Sequence, residues 1–275
     1  KTLNTMMNVI ISENLQDTEF IEKYAEGFEY LKEAVKDFTP ERFERETGVK
    51  KELITEAARM YAKAGSAAIC YTMGITQFSD GTSNVFSLSN LAILTGNLGK
   101  KGAGVNPLRG QNNVQGSCDM GALPNVIPAG PVNSAYAQEQ ARKVWHFELN
   151  PVPGFKLTYA PDKMDSGELK VLYVYGENPV MSDPWTEHFV HATHHLDCFI
   201  VQDLFFTESA QKADVVLPAA GWGEKDGTFI NTSRRVQRTR KASEPVAGVE
   251  PDWKVVCNIA KAMGLEGFDF LSAEE

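Results

Sequence analysis

Short apolar runs alternate with helical segments along much of the chain. The runs are short enough for buried strands, and they lie at 67–73, 169–175, 198–202 and 215–217. Apolar residues at helical spacing predict helices at 15–36, 53–61, 84–97, 134–147, 184–195, 207–212 and 252–263. Such alternation is typical of an α/β fold whose parallel strands are joined by right-handed crossovers. Residues 227–238 are predicted to be extended, and the rest of 131–168 to be irregular.

Turn and capping residues set some helix boundaries. Thr39, Pro40 and Glu41 are suited to the N-cap, first position and first turn of a short helix that Gly48 would end. Asp252 is predicted to be the N-cap of the last helix. The apolar run at 67–73 is followed by a polar loop and then a helix, which is the order of a βα unit whose loop can hold a ligand.

Residues 104–127 read GVNPLRGQNNVQGSCDMGALPNVI and have few long apolar side chains. We interpret them as a long polar connection that follows the apolar helical segment at 85–94. Loops of this length are commonly functional, and the glycines and amide side chains around Arg109 suit close approach to a polar ligand. The alternative interpretation is a solvated connector.

Two polar clusters follow predicted strands. Gly176, Glu177 and Asn178 come after the strand at 169–175, and Gln202 and Asp203 end the next one. Ligands of open parallel sheets bind beyond the carboxyl ends of the strands, so a nucleotide-type pocket is one interpretation and simple strand-ending turns are the other. The chain has neither a P-loop nor the glycine-rich fingerprint of nicotinamide-binding domains, which argues against ordinary ATP and dinucleotide sites.

Charge and composition exclude some classes of function. The net charge of -9 argues against a nucleic-acid partner. The basic run RRVQRTRK at 234–241 is interpreted as a solvated strand or a salt-bridged surface, with phosphate binding as the alternative. The four cysteines are scattered without a CxxC pair, which is typical of a reduced intracellular protein. No apolar run reaches the roughly 18 residues of a membrane span. We therefore expect a cytoplasmic protein, or a periplasmic one if a signal precedes Lys1.

Several motifs together resemble the molybdenum- or tungsten-dependent formate dehydrogenases of the molybdopterin oxidoreductase superfamily. They are NPLRGQNNVQG with CDMGALPN, YGENPVMSDP, FIVQDLFFTESAQKADVVLPAAGWGEKDGTFINTSRRVQ and PDW. The resemblance implies two Rossmann-like α/β lobes of a larger subunit, with a metal between two molybdopterin guanine dinucleotides. Residues 1–111 would be the C-terminal part of one cofactor-binding lobe, ending in the active-site loop. Residues 112–275 would be the second lobe, with an extended insertion near 224–251.

The resemblance also implies site residues. Arg109 and Gln111 would be catalytic, because a permanently charged guanidinium can grip formate, the smallest carboxylate, with two hydrogen bonds. The residues expected to contact the first cofactor are Gly176, Glu177, Asn178, Ser182, Asp183, Gln202, Asp203 and Asp252. Those expected to approach the second are Met73, Gly74 and Gln77.

No metal ligand is predicted in this chain. His188, His191, His194 and His195 have spacings of three and four, which could place a metal on one helix face. No paired cysteine or carboxylate set accompanies them in the sequence, so a surface helix is the preferred interpretation. Cys118 has no nearby base that would activate its thiol.

Other parts of the family pattern fall outside this sequence. They are an N-terminal cysteine-rich segment for an iron–sulfur cluster, a Cys or selenocysteine followed by His at the metal, and a C-terminal barrel-like domain. We therefore expect an internal fragment that folds but is inactive alone. Formate or carbon dioxide and electron-transfer iron–sulfur or diaphorase-type subunits would be its partners. A nitrate reductase type of enzyme and a non-catalytic relative of the complex I large iron–sulfur subunit remain the alternatives.

Overall fold

A small parallel sheet lies in each of two units, Lys1–Gln111 and Asn112–Glu275, into which the chain divides. The computed structural model describes all 275 residues. The parallel sheets and their flanking helices confirm the predicted α/β fold. None of the helices combines the length and the apolar character that crossing a lipid bilayer requires.

The first unit joins a helical layer to a βαβ crossover. Strands β1 (Ala68–Tyr71) and β2 (Gly104–Pro107) are parallel and in register from Ala68 opposite Gly104 to Tyr71 opposite Pro107. The predicted strand and the predicted helix are present, and the segment between them, predicted as a polar loop, contains the short helix α6 (Met73–Thr76). The elements of the first unit are α1 (Thr2–Ser12), α2 (Thr18–Tyr24), α3 (Phe28–Val35), α4 (Pro40–Thr47), α5 (Lys51–Lys63), β1 (Ala68–Tyr71), α6 (Met73–Thr76), α7 (Gly81–Leu94) and β2 (Gly104–Pro107).

The core of the first unit lies between helices. Full burial of one large aliphatic side chain contributes about 1.5–3 kcal/mol, so α1, with three core residues, is a main support of this unit. α1 has no counterpart among the predicted helices. The buried core residues are Met7, Val9, Ile10, Ile21, Val35, Ala58, Leu91 and Leu94.

The helix boundaries of the first unit confirm one prediction and correct another. The Thr39 hydroxyl accepts a hydrogen bond from the Arg42 N–H at 3.3 Å, with Pro40 in the first turn, as predicted. The single helix predicted at 15–36 is wrong, because the segment forms α2 and α3. Ala25 is extended and Gly27 has φ +75°, a left-handed conformation that interrupts the helical hydrogen bonds.

The second unit contains two antiparallel hairpins and a three-stranded parallel sheet, whose strand order is β5 (Val171–Tyr175), β6 (Cys198–Asp203), β7 (Val215–Pro218). Single 3-10 turns lie at Leu157–Tyr159, Ala210–Lys212 and Trp222–Glu224. The other elements are α8 (Val114–Asp119), β3 (Val126–Ile127), β4 (Gly130–Pro131), α9 (Ala135–Trp145), α10 (Ala160–Asp165), β5 (Val171–Tyr175), α11 (Pro179–Ser182), α12 (Thr186–Thr193), β6 (Cys198–Asp203), β7 (Val215–Pro218), β8 (Gly227–Ile230), β9 (Val236–Thr239) and α13 (Asp252–Ala262).

Two apolar clusters support this sheet. Phe199 and Val201 of β6 pack with Val174 of β5 and with Ala210. A second cluster joins α10 to α12 through Met164 and Phe189, both of which are fully buried. The strands predicted near 169–175, 198–202 and 215–217 are confirmed, and each becomes one strand of the sheet.

One prediction for the rest of the chain is confirmed, and two segments differ from their predictions. Residues 227–238, predicted to be extended, form the strands of the antiparallel hairpin β8–β9 on either side of a turn, and all of β9 lies in the basic run. The segment 131–168 contains α10 as well as the predicted helix, and α10 is held by packing against α12 that local spacing does not reveal. Residues 104–127 are not one polar connection, because β2, α8 and β3 occupy much of their length.

Candidate functional site

The carboxyl ends of β5, β6 and β7 form one edge of the sheet in the second unit. Tyr175 pairs with Gln202, and Asp203 pairs with Pro218, so the strands end together. The structure therefore brings the turn after β5 and the end of β6 to the edge where parallel sheets bind ligands. Gly176 begins that turn with φ +65°, which L side chains rarely adopt, and donates its N–H to the Gln202 carbonyl at 2.9 Å.

A buried polar chain runs behind this edge. The Tyr173 hydroxyl donates to Gln202 Oε1, and Gln202 Nε2 donates to Asp252 Oδ1 at 2.9 Å. Gln202 is fully buried and Asp252 is 7% exposed. The other Asp252 oxygen contacts the ammonium of Lys225. Four side chains from distant parts of the sequence thus hold each other in fixed positions.

Asp252 does not act as the predicted N-cap. Pro251 occupies the cap position of α13, and Asp252 is the first helical residue. Its carboxylate is used by Gln202 and Lys225 instead of by the backbone N–H groups of its own helix. A carboxylate in the first turn still interacts favourably with the positive end of the helix dipole.

Lys225 supplies the positive charge at the end of the polar chain formed by Tyr173, Gln202 and Asp252. Its ammonium also donates to the Ala220 carbonyl at 3.0 Å. Burial lowers the pKa of Lys225, and the neighbouring Glu224 carboxylate acts in the opposite direction. A partly desolvated ammonium interacts more strongly with an anionic ligand group than an ammonium in bulk water.

Asn178 fixes the turn after β5. Its amide oxygen accepts hydrogen bonds from the Ser209 N–H at 3.1 Å and from the Ser209 hydroxyl at 2.7 Å. Its amide nitrogen donates to Glu208 at 2.8 Å, and this hydrogen bond lowers the pKa of Glu208. Since the oxygen of Asn178 is already used twice, its free hydrogen-bonding capacity is the second N–H of the amide.

Four further residues at this edge, Glu177, Ser182, Asp183 and Asp203, carry side-chain oxygens. The Ser182 hydroxyl donates to Glu177 at 3.3 Å. Burial raises the pKa of Asp183, and the charge of Glu177 raises it further. Asp203 accepts from the N–H groups of Leu204 at 2.6 Å and Phe205 at 3.2 Å, which fixes its carboxylate at the end of β6.

A cavity of about 740 Å³ adjoins the buried polar chain. Of the residues predicted to contact a cofactor, Asp252 alone lines it, next to Tyr175 at the end of β5. Trp222, Lys225 and Arg238 also line the cavity and were missed as site residues. The signal for Trp222 and Lys225 was the WGEKDG segment quoted with the family motifs, from which no residue was assigned a role. Arg238 lies in the basic run at 234–241, which was interpreted as a solvated strand.

The first unit has its own sheet edge. The carboxyl ends of β1 and β2 lie side by side, and the Leu108 N–H donates to the Tyr71 carbonyl at 2.8 Å. Met73 and Gly74 belong to α6 directly after β1, and Gln77 ends that helix. Arg109 and Gln111 follow β2, so the structure places all five predicted residues of this unit in segments that leave the same edge.

Arg109 is exposed at this edge. The arginines that form ion pairs with carboxylates of the chain are Arg42, Arg59, Arg142 and Arg238, and Arg109 is not among them. Its five N–H donors are therefore available to a carboxylate ligand.

Comparison with protein families decides the classification. The model of the family described as molybdopterin oxidoreductase matches residues 1–262. The chain belongs to the molybdopterin oxidoreductase family. This family implies a molybdopterin cofactor that carries molybdenum or tungsten.

Individual relatives agree with this assignment. The alpha subunit of F420-dependent formate dehydrogenase 1 from Methanococcus maripaludis is 51% identical over 99% of this chain, which covers 40% of that subunit. Formate dehydrogenase H from Escherichia coli is 46% identical over 95% of this chain and 37% of its own length. The chain thus spans about two fifths of the curated relatives that it matches.

A solved structure shares the fold. Acetylene hydratase from Pelobacter acetylenicus superposes with a TM-score of 0.75 over 98% of this chain and 40% of its own chain, at 21% identity.

The residues around the cavity of the second unit suit the nucleotide part of a cofactor. The cavity lies within the usual range of about 300–1,000 Å³ for ligand sites. Trp222 offers a flat apolar surface for a base. The cations of the lining, Lys225 and Arg238, already pair with Asp252 and Glu274, so a phosphate group would compete with these carboxylates for them. The Asp252 carboxylate can accept hydrogen bonds from N–H or hydroxyl groups.

Proposed function

We propose that this chain is part of the catalytic subunit of a formate dehydrogenase, which oxidises formate to carbon dioxide or catalyses the reverse reaction. The proposal rests on one observation: an exposed guanidinium, Arg109, lies at the carboxyl edge of β1 and β2, outside the chain's ion pairs. The substrate class is supported by relatives named formate dehydrogenase that are about half identical to the chain.

The cofactor proposed for this subunit is bis-molybdopterin guanine dinucleotide with molybdenum or tungsten. At the edge of the second unit, Asp252 and Lys225 would hold its nucleotide part in the cavity, with Gln202 fixing Asp252 from behind. The other proposed contacts there are Gly176, Glu177, Asn178, Ser182, Asp183 and Asp203. At the edge of the first unit the proposed contacts are Met73, Gly74 and Gln77.

Arg109 would bind and orient the substrate. Two parallel N–H donors of one guanidinium match the two oxygens of formate, and this bidentate contact leaves the C–H bond pointing away from the arginine. The positive charge of the guanidinium would attract the formate anion more strongly than neutral carbon dioxide, so it would also favour product release. Gln111 would assist through its amide, which can donate to one formate oxygen.

Oxidation of formate releases carbon dioxide, one proton and two electrons. The metal cofactor, when bound, supplies the two-electron acceptor that no side chain of this segment provides. We propose that the electrons leave through iron–sulfur clusters, first one in the N-terminal part of the subunit, and then through iron–sulfur or diaphorase-type partner subunits. The cytoplasm is the proposed location.

Substitution of Arg109 in the complete subunit tests the proposal. Arg109→Ala removes two charge-assisted hydrogen bonds, each worth about 1.5–2 kcal/mol, so formate oxidation with an artificial electron acceptor should fall about 10²–10³-fold. Arg109→Lys keeps the charge but loses the bidentate geometry and should recover only part of the activity. Molybdenum and tungsten content should remain that of the unaltered subunit.

Arg45→Ala is the matched control, because Arg45 is an exposed arginine on α4 of the same unit. It should leave activity unchanged. Formate oxidation that survives Arg109→Ala would contradict the proposed role. Turnover of nitrate instead of formate would favour the nitrate reductase alternative. A complete subunit without molybdenum, tungsten or pterin would favour the non-catalytic alternative.

A further inference from the structure

Helices α10 and α12 bring together the histidines that the sequence places on a surface helix. Phe189 and Ala192 of α12 are buried against Met164 of α10. This packing leaves His188 and His191 beside Asp165, the last residue of α10, and His195 lies just beyond the end of α12. The carboxylate beside the histidines, that of Asp165, therefore belongs to a helix more than twenty residues earlier in the chain. No local sequence pattern indicates that it lies there.

The polar atoms of this cluster converge. His188 Nε2 lies 2.8 Å from Asp165 Oδ2, and His195 Nδ1 lies 3.1 Å from Asp165 Oδ1. One ligating atom each from Asp165, His191 and His195 lies within 4.8 Å of the others. The rings of His191 and His195 meet edge to face, with their centroids 5.4 Å apart.

A nearby cation would stabilise the carboxylate of Asp165 at its position in the helix. A carboxylate at the C-terminus of a helix faces the negative end of the helix dipole, which disfavours it. Lys163 does not provide the compensating positive charge, because its ammonium contacts Glu168. The groups that face Asp165 are the imidazoles of His188 and His195, whose ring nitrogens are usual ligands of transition metal ions.

We infer that Asp165, His191 and His195 form a binding site for a divalent first-row transition metal ion, with zinc as the expected occupant. Imidazole nitrogens and a carboxylate oxygen are usual zinc ligands, and water would complete a tetrahedral site. With zinc–ligand bonds of about 2.0–2.1 Å, neighbouring ligand atoms lie about 3.4 Å apart. The observed spacing needs a shift of about 1.5 Å or less, which partly exposed side chains can make by small rotations.

His188 is the positioning residue of this site. Its hydrogen bond to Asp165 Oδ2 leaves Oδ1 directed toward His195. Hydrogen bonds to ligating carboxylates typically change metal affinity about 10–100-fold. The bound ion would join the end of α10 to α12, and so stabilise the helical layer that covers this side of the sheet. This inference does not depend on the proposed formate chemistry.

Metal titration of the 275-residue chain tests the site. After removal of metals with a chelator, zinc binding is measured by calorimetry, and cobalt binding by the visible absorption of tetrahedral cobalt. We expect one tight zinc site, and a rise in Tm on adding zinc. His191→Ala and His195→Ala should each lower the affinity at least tenfold and abolish the rise in Tm. His188→Gln should lower the affinity about 10–100-fold.

His194→Ala is the matched control, because His194 is exposed beside the cluster and lies outside the set of converging ligands. It should bind zinc like the unaltered chain. Circular dichroism of each metal-free variant shows whether it folds. The inference is overturned if the unaltered chain binds no zinc, or if folded His191→Ala and His195→Ala chains bind it as tightly as the His194→Ala chain. Binding that persists in them would belong to another site, for example the cysteines.

Discussion

The carboxyl edges of the two parallel sheets are built in different ways. In the second unit, Gln202 and Asp252 are buried and bonded to each other, so their positions are set before any ligand arrives. In the first unit, Arg109 is exposed and takes no part in the chain's ion pairs. A pre-arranged edge suits a large permanent cofactor. A guanidinium outside the ion pairs suits the proposed role of Arg109, which is to bind and release a small anion.

Asp252→Ala should cause the largest loss in the free energy of unfolding. It leaves the ammonium of Lys225 without its carboxylate and the amide of Gln202 without its acceptor. Removal of one partner of a buried ion pair destabilises by about 3–5 kcal/mol, and we expect the lower end because Lys225 keeps partial access to water. Urea unfolding of the chain measures this loss.

Asp269→Ala is a suitable control for Asp252→Ala. Asp269 is an exposed carboxylate that pairs with Lys261 at 3.3 Å in the same unit. Surface ion pairs contribute about 0–1 kcal/mol, so this variant should unfold close to the unaltered chain. Equal effects of the two substitutions would show that the buried polar chain does not stabilise the unit.

Asn178→Ala should have the next largest effect. It removes the oxygen that accepts from the N–H and the hydroxyl of Ser209, a residue with no solvent exposure. Leaving a buried donor unsatisfied costs about 1–3 kcal/mol. Ser182→Ala removes only the 3.3 Å hydrogen bond to Glu177 and should change the free energy of unfolding by about 0.5 kcal/mol or less. Similar losses in both variants would contradict the supporting role of Asn178.

The sheet edge of the second unit follows largely from local patterns. Continuous apolar runs predict β5, β6 and β7, and parallel pairing then brings the turn at Gly176 and the end of β6 together. The polar chain behind the edge, by contrast, could not be predicted from local patterns. Tyr173, Gln202, Lys225 and Asp252 lie on separate elements, and nothing in their local sequence indicates that their side chains meet.

The segments that were predicted wrongly share one cause. Residues 104–107 are polar and contain glycine and proline, yet they form β2 because β1 offers a pairing edge. Helix α10 is stabilised by burial of Met164 against α12, so it could not be recognised from 131–168 alone. The same packing places Asp165 beside the histidines. This carboxylate partner could therefore not be recognised from the sequence.

Arg109→Ala should have almost no effect on stability, in contrast to its expected effect on activity. An exposed side chain outside the ion pairs contributes within about ±0.5 kcal/mol, so the unfolding midpoint of the chain should not move. Arg59→Ala is the comparison within the same unit, because Arg59 holds Glu13 with two hydrogen bonds of 2.7 Å. A loss for Arg109→Ala larger than that for Arg59→Ala would assign Arg109 a structural role.

The smallest expected effect is electrostatic and lies at the edge of the second unit. Burial raises the pKa of Asp183, and the negative charge of Glu177 raises it further. Because the folded-state pKa lies above the unfolded value, the contribution of Asp183 to stability is present below the unfolded pKa. It is lost as the pH rises through the folded pKa.

Glu177→Gln keeps the shape of the side chain and removes its charge, so the pKa of Asp183 should fall while remaining above its usual value, because burial is unchanged. Carbon NMR of labelled aspartate carboxyls across the acid range measures this. Ser182→Ala, which disturbs the Glu177 hydrogen bond without altering charge, should leave the titration of Asp183 in place. An equal shift in both variants would mean that local geometry, and not the charge of Glu177, raises the pKa of Asp183.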